Sequence, residues 1–365
     1  MFSARTKQAL GVAGILLLLA IALLARHFLS ESDATARAQF LRFVPAGTTS
    51  VIFVDLDSLR FSPFLDALYS WAPHPAEDSE YSEFVGATGF DYERDLGKIF
   101  VAISNHEASS STLLLAEGRF DRKKIEAFLA RHGSETEQGS LKVFVLRASR
   151  NDKPLSVAFL ANQRIAITDS ASLAATLTSA VDRADHGAWQ TRFDRVAGTP
   201  AFAVIRQDPA FEVAVNGAAP GGYRSPQLAA LLDQLEWISL AGKPDGDLLR
   251  LVAEGECPSG PAAAELHDFL QGIQVLAQNG LNDPKLRQKM NADERQAYLE
   301  LLKSAAIEKI DRGDGRSVRL VLSITPQFLS LAKPSGLATG DSSADPASQT
   351  DRGTRAKKPT SAKKR

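Results

Sequence analysis

Four carboxylates hold most of the chemistry this sequence could perform. Asp55-Leu56-Asp57 is a D-x-D, a spacing that in glycosyltransferases holds a metal–nucleotide pair. Here it closes an apolar run, Ser50 to Leu56, and enters Ser58-Leu59-Arg60. The favoured expectation is a turn, because Asp readily hydrogen-bonds its own backbone where a strand ends. Glu117 and Glu254 sit in Leu114–Gly118 and Leu251–Gly255, two runs that match almost residue for residue. Two carboxylates at the same place in two repeats could run acid–base chemistry if the repeats faced each other. The plainer expectation is that each points outward on an alternating strand, beside a glycine at the strand end.

Other chemistries lack their usual residues. None of His27, His74, His106, His132, His186 and His267 stands three or four residues from another, so a histidine metal site would need ligands from separate elements. His267 falls off the apolar stripe of its helix, which points to a solvated or partly covered ring. The single Cys257 excludes an intramolecular disulfide and a cysteine zinc cluster, and its place at an apolar strand end suggests a buried, inert thiol. No nucleophile elbow, P-loop or dinucleotide fingerprint occurs. Asn216-Gly217 and Gly221-Gly222 flank Pro220 and read as a connecting loop, while Arg312-Gly313-Asp314 reads as a hairpin tip rather than an adhesion motif. The folded part shows no basic aromatic patch, so nucleic acid is not an expected partner. No catalytic, cofactor-binding or metal-binding residue is assigned, and no cofactor is expected.

The elements that must position these residues follow from period. In the first half, strands are expected at Ser50–Leu56, Leu96–Ile103, Leu113–Gly118, Leu141–Leu146, Leu155–Leu160 and Gln163–Thr168. Helices are expected after Ser62-Pro63, from an Asp121 cap through Ile125, Phe128 and Leu129, and through Leu173 and Leu177. In the second half, Phe202–Ile205, Leu235–Leu240 and Leu248–Cys257 are strands, and Ser225-Pro226 matches Ser62-Pro63. A helix from Gly260 buries Leu266, Phe269, Leu270, Ile273 and Leu276, Asn291 with Glu294 caps another, and Ile307–Ile310 with Val318–Ile324 form a hairpin.

The order β-α-β-β-α-β in each half predicts an α+β fold of two tandem split-βαβ repeats, ferredoxin-like in type, with mainly antiparallel sheets. Repeat 1 is expected over residues 40–183, with an insertion at about 72–95, and repeat 2 over residues 184–332. A disordered basic tail is expected over residues 333–365, whose composition cannot bury enough surface to offset ordering entropy.

At the other end, Ala9 to Ala25 is an unbroken apolar run preceded by Arg5 and Lys7. It predicts a cytoplasmic N-terminus over residues 1–8, a transmembrane signal anchor over residues 9–29 and a linker over residues 30–39. A cleaved signal peptide is the rival, with small-x-small sites at Ala34-Thr35-Ala36 and Ala36-Arg37-Ala38. The anchor implies a single-pass inner-membrane protein, held in the bilayer by residues 9–29, with its C-terminal ectodomain outside the cytoplasm. The formal net charge of −1 conceals unlike parts. Residues 1–29 hold three bases and no acid, and the tail holds eight bases and three acids. Residues 30–332 hold 31 bases and 40 acids. The acidic ectodomain or the basic tail could meet an envelope protein or an anionic polymer.

Val44-Pro45-Ala46-Gly47-Thr48, the apolar strand into Asp55-Leu56 and the Ser62-Pro63 helix start together resemble a group of uncharacterised bacterial envelope proteins. These are α+β proteins frequent in acidobacteria-like and planctomycete-like genomes, and the likeness spans about Phe40 to Ala332. It implies an envelope location and brings no catalytic residues. The expected function is therefore a non-enzymatic binding or scaffold ectodomain. A hydrolase or transferase built from Asp55, Asp57, Glu117 and Glu254 is the first alternative. The second is an assembly factor that pairs clients with a sheet edge.

Overall fold

Among the described residues twelve strands form, most of them on apolar alternation with a period of two, and all twelve join one sheet. The computed structural model of the chain describes residues 39–60, 62, 79–106, 109–147, 154–170, 172–178, 183–207, 235–284, 288, 290–310 and 316–331. The strands are β1 (Thr48–Asp55), β2 (Leu96–His106), β3 (Ser109–Gly118), β4 (Gly133–Gln138), β5 (Leu141–Arg147), β6 (Pro154–Ala161) and β7 (Arg164–Thr168). They continue with β8 (Ala201–Arg206), β9 (Trp237–Asp245), β10 (Leu248–Glu256), β11 (Ala306–Ile310) and β12 (Ser317–Ile324). Their spatial order is β11-β12-β10-β9-β8-β1-β2-β3-β7-β6-β5-β4.

Every pairing is antiparallel, and β1-β2-β3 and β8-β9-β10 are runs of successive neighbours within one sheet, an order that overturns the expected ferredoxin-like repeats. A split βαβ unit sets its two helix-linked strands parallel with a third strand between them, whereas β1 and β2 here are direct antiparallel neighbours. The linear order of elements had suggested the wrong pairing, because apolar alternation fixes which face of a strand is buried and not which strand lies beside it. The two expected sheets are one. The expected transmembrane helix finds no support either: it falls on residues 9–29, outside the described residues, and among those described no helix is long and apolar enough to cross a membrane. Residues 63–78, the Ser225-Pro226 start, the Gly217–Gly222 loop, Arg312–Asp314 and residues 333–365 also lie outside them.

Counting outward from the β1–β8 pair, β1-β2-β3-β7 runs one way and β8-β9-β10-β12 the other, so the two halves share a connectivity. The pair at the centre sets Val51 opposite Val204 and Phe53 opposite Phe202. Each half enters its first strand through the same turn, Ala46-Gly47-Thr48 or Ala197-Gly198-Thr199. Gly47 and Gly198 take φ of 73° and 81°, a left-handed backbone that costs little only for glycine. Thr48 and Thr199 then donate Oγ1 to the carbonyls of Pro45 at 2.7 Å and Val196 at 2.5 Å.

Helices cover both faces. They are α1 (Leu56–Leu59), α2 (Ser79–Thr88), α3 (Tyr92–Asp95), α4 (Arg122–His132), α5 (Leu173–Thr178), α6 (Arg183–Arg195), α7 (Gly260–Gly280), α8 (Ala292–Ser304) and α9 (Pro326–Leu331). On one face, Trp189 and Phe193 of α6 and the helical turn at residues 39–41 close a core with Val51, Phe53, Phe100, Leu115 and Phe202. On the other, α4 packs Ile125 and Leu129 on Phe159 and Ile165, and α7 packs Ala263 and Leu266 on Val318. Caps set the helix starts: Asp121 accepts from Lys124 N, and Asn291 with Glu294 forms a full capping box for α8.

Candidate functional site

The register of β1, β2, β3 and β7 places four charged residues in one row across the sheet. Asp55 faces Lys98, Lys98 faces Glu117, and Glu117 faces Arg164, so the signs alternate from strand to strand. Opposite charges directly across antiparallel strands stabilise the pairing. Arg164 donates to Glu117 from Nε at 2.7 Å and again from a terminal nitrogen. Its guanidinium also lies over the rings of Phe40 and Phe43 at 5.4 and 5.6 Å and reaches Gln39 Oε1 at 3.2 Å. Glu117 thus ties the sheet to the turn at residues 39–41. Gly118, next to it, has to be glycine, since a Cβ there would stand 2.3 Å from the carbonyl oxygen of Asp95.

The second half repeats the pairing with other partners. Glu254 on β10 faces Arg319 on β12 and accepts from its Nε at 3.2 Å and a terminal nitrogen at 2.9 Å. Two arginines of α6 join from above: Arg195 reaches Glu254 at 3.5 Å and Glu256 at 2.6 Å, and Arg192 reaches Glu256 at 2.6 Å. The guanidiniums of Arg192 and Arg206 lie over Trp237 at 4.0 and 4.8 Å. Burial pushes the Arg192 guanidinium below its ordinary pKa. These contacts pin α6 to β10.

The candidate carboxylates do not converge. Glu117 and Glu254 share a face of the sheet, but the order β3-β2-β1-β8-β9-β10 puts five strand spacings between them. At about 4.8 Å each, that is roughly 24 Å, far beyond the reach of a shared acid–base step. Asp55 caps α1, accepting from Ser58 N at 3.1 Å and Ser58 Oγ at 3.0 Å, which is the turn role its neighbours suggest. Asp57 is exposed and contacts Arg60 at 3.5 Å. Of the described histidines, His132 stacks on Phe128 and bonds Glu83, while His267 bonds Asp268 and Gln271. Among the described residues no group of three or more His, Cys, Asp or Glu side chains could hold a metal ion. Cys257 is buried, and desolvation pushes its thiol up to about 11.

Among the described residues, a charged cleft and an apolar groove lie beside these strands. A charged cleft of about 630 Å³ opens at the Gly97–Gly118 end of β2 and β3. Arg60, Arg94, Lys98, Arg119 and Arg164 line it against Asp57, Asp95 and Glu117. Asp95 sits between Arg94 at 2.6 Å and Arg119 at 3.6 Å, and the hydrogen bond from Arg94 is the largest cause holding its carboxyl at about 2. An apolar groove of about 430 Å³ crosses the middle of the face opposite the charged rows. Its lining includes Ile52, Ala203, Leu240, Leu251 and Leu322, with Ile52 and Leu240 39% and 40% exposed. The arginines of the pairs and of the cleft escape a search for nucleophiles and metal ligands. The signal that finds them is register, since Arg164 and Arg319 hold one cross-strand place in the two halves.

No family model matches the chain, and no curated protein matches it. Among solved structures, crystal form IV of TP0453 is similar at 10% identity and a TM-score of 0.40, covering 80% of this chain and 96% of that one. Crystal form III of TP0453 gives 11% identity and a TM-score of 0.39 with the same coverage. Neither likeness bears on a residue of the site.

Proposed function

We propose that this chain is a non-enzymatic binding or scaffold protein of the cell envelope, with its sheet acting as a rigid platform. The observation that carries the proposal is the commitment of Glu117 and Glu254 to cross-strand arginines. Arg164 engages Oε1 of Glu117 twice, and Glu254 accepts from Arg319 and Arg195 on its two oxygens, so both carboxylates are held by charge-assisted bonds to guanidinium groups within the fold. The same bonds have a structural task, since they join β3 to β7 and β10 to both β12 and α6. The apolar run at residues 9–25 and the resemblance carried by Val44–Thr48 support the envelope location.

The sheet edges speak against the assembly-factor alternative. The outer strands carry Glu135 and Glu137 on β4 and Glu308 and Lys309 on β11, and charged side chains discourage pairing with a further strand.

The test uses the full chain and its Glu117→Gln and Glu254→Gln variants. On a panel of ester, phosphoester, glycoside and peptide substrates, the scaffold reading expects no turnover in any of the three, with both variants less resistant to denaturant. Turnover by the native chain that vanishes in either variant at unchanged stability overturns it.

A further inference from the structure

The charged cleft runs against the charge of the body that holds it. Residues 30–332 carry 40 acids and 31 bases, yet five bases and three acids line the cleft. The resident carboxylates do not balance those cations evenly. Glu117 answers Arg164 and Asp57 answers Arg60, but the single Asp95 answers both Arg94 and Arg119. The Lys98 ammonium stands 4.0 Å from Asp55, whose oxygens already accept two bonds from Ser58. A second depression continues the basic surface, sharing Arg119 and Gln163 with the cleft and adding Arg122 and Lys123 against Asp121. Asp121 is engaged with Lys124, and Arg122 with Glu126 at 2.7 Å.

We propose that this cleft binds a phosphate-class polyanion. Arg94 and Arg119, with side chains 60% and 69% exposed, receive it at the mouth, and Lys98 faces it from the wall. The ligand has to carry at least two negative charges, because a single carboxylate would gain no more from these cations than Asp57, Asp95 and Glu117 already give. Guanidinium groups match phosphate oxygens two at a time, and an ammonium adds a compact point charge. A second phosphate would extend past Arg119 toward Lys123. This inference rests on the binding reading above and gives it a ligand class.

The experiment titrates the full chain with tripolyphosphate by calorimetry, beside Arg94→Ala/Arg119→Ala, Arg119→Gln alone and the control Arg250→Ala, an exposed residue of β10 that does not line the cleft. Saturable binding is expected, weakened about tenfold or more in the double variant and less in Arg119→Gln, with Arg250→Ala unchanged. Denaturant unfolding of each variant separates lost binding from lost fold, and Arg119→Gln serves where the double variant is unstable. Flotation with phosphatidylglycerol and with phosphatidylcholine vesicles distinguishes the sources. Arg119-dependent capture by phosphatidylglycerol that tripolyphosphate competes away identifies a lipid headgroup, and binding of soluble tripolyphosphate alone identifies a free phosphate compound. Absence of saturable binding to both probes, or binding that the Arg94/Arg119 changes leave intact, overturns the site. Neither result alters the turnover test, so the two proposals fail separately.

Discussion

Glu254 and Arg319 stand directly opposite each other across β10 and β12, and Glu117 and Arg164 repeat that relation across β3 and β7. The two pairs differ in burial. The Glu254 side chain is 5% exposed and shared with Arg195, whereas that of Glu117 is 24% exposed. Removing one partner of a buried pair strands a charge and costs about 3 kcal/mol or more, while a better solvated pair contributes about 1 kcal/mol. Glu254→Ala is therefore expected to lower unfolding free energy about threefold more than Glu117→Ala. Denaturant titration checks this, and a double-mutant cycle with Arg319→Ala measures the coupling.

Asp95 makes part of the stability pH-dependent. Its carboxyl is held at about 2, below the ordinary 3.8, first by the hydrogen bond from Arg94 and then by backbone and charge contacts. A depressed folded-state value stabilises the fold above the unfolded value and loses that contribution as pH falls from about 4 through 2. Asp95→Asn is expected to be less stable than the native chain at pH 7, with the gap narrowing as pH falls through that window. Thermal unfolding of both proteins at pH 7, 4 and 2.5 reads it, and a gap that stays constant refutes the assignment.

How far the fold was legible depends on the range of the interaction that sets each feature. Local rules placed the Asp121 cap, the Asn291–Glu294 box and the strand pattern of Leu113 to Gly118, because each depends on neighbours within four residues. Pairing did not follow. Val51 meets Val204 and Glu117 meets Arg164 through contacts between distant segments, and the alternation of β1 suits a parallel or an antiparallel neighbour equally. The repeated Ala-Gly-Thr at Ala46 and Ala197 went unread in the sequence, and it is the positive φ at Gly47 and Gly198 that gives it meaning. The candidate site was half legible. The carboxylates could be named, while the arginines that engage them required the register.

The two faces of the central sheet differ in tolerance. Phe100 is fully buried in the larger core and stacks on Phe40 at 5.4 Å, whereas Ile52 and Leu240 on the opposite face line the open groove. Phe100→Ala is expected to cost about 3–5 kcal/mol through the cavity it leaves. Ile52→Ser or Leu240→Ser is expected to cost about 1 kcal/mol, since much of each side chain already meets solvent. Parallel denaturation curves test the contrast, and equal losses would show the groove to be closed.

Cys257 reports on opening of the second half. It is 1% exposed, packed with Leu235, Ala263, Leu266 and Val318, and its thiol is raised to about 11 by burial and the nearby Glu236 charge. Thiolate is the reacting species, so at pH 8 both access and ionisation restrain the native thiol. Reaction with a thiol reagent is expected to be slow in buffer and fast in denaturant. Leu266→Ala, which loosens the contact between α7 and the sheet, should raise the native rate by increasing the population of the open form. The rate measured across reagent concentrations decides the matter. A fast, reagent-limited reaction in the native chain would mean that the thiol is reached without opening, and that α7 does not seal this core.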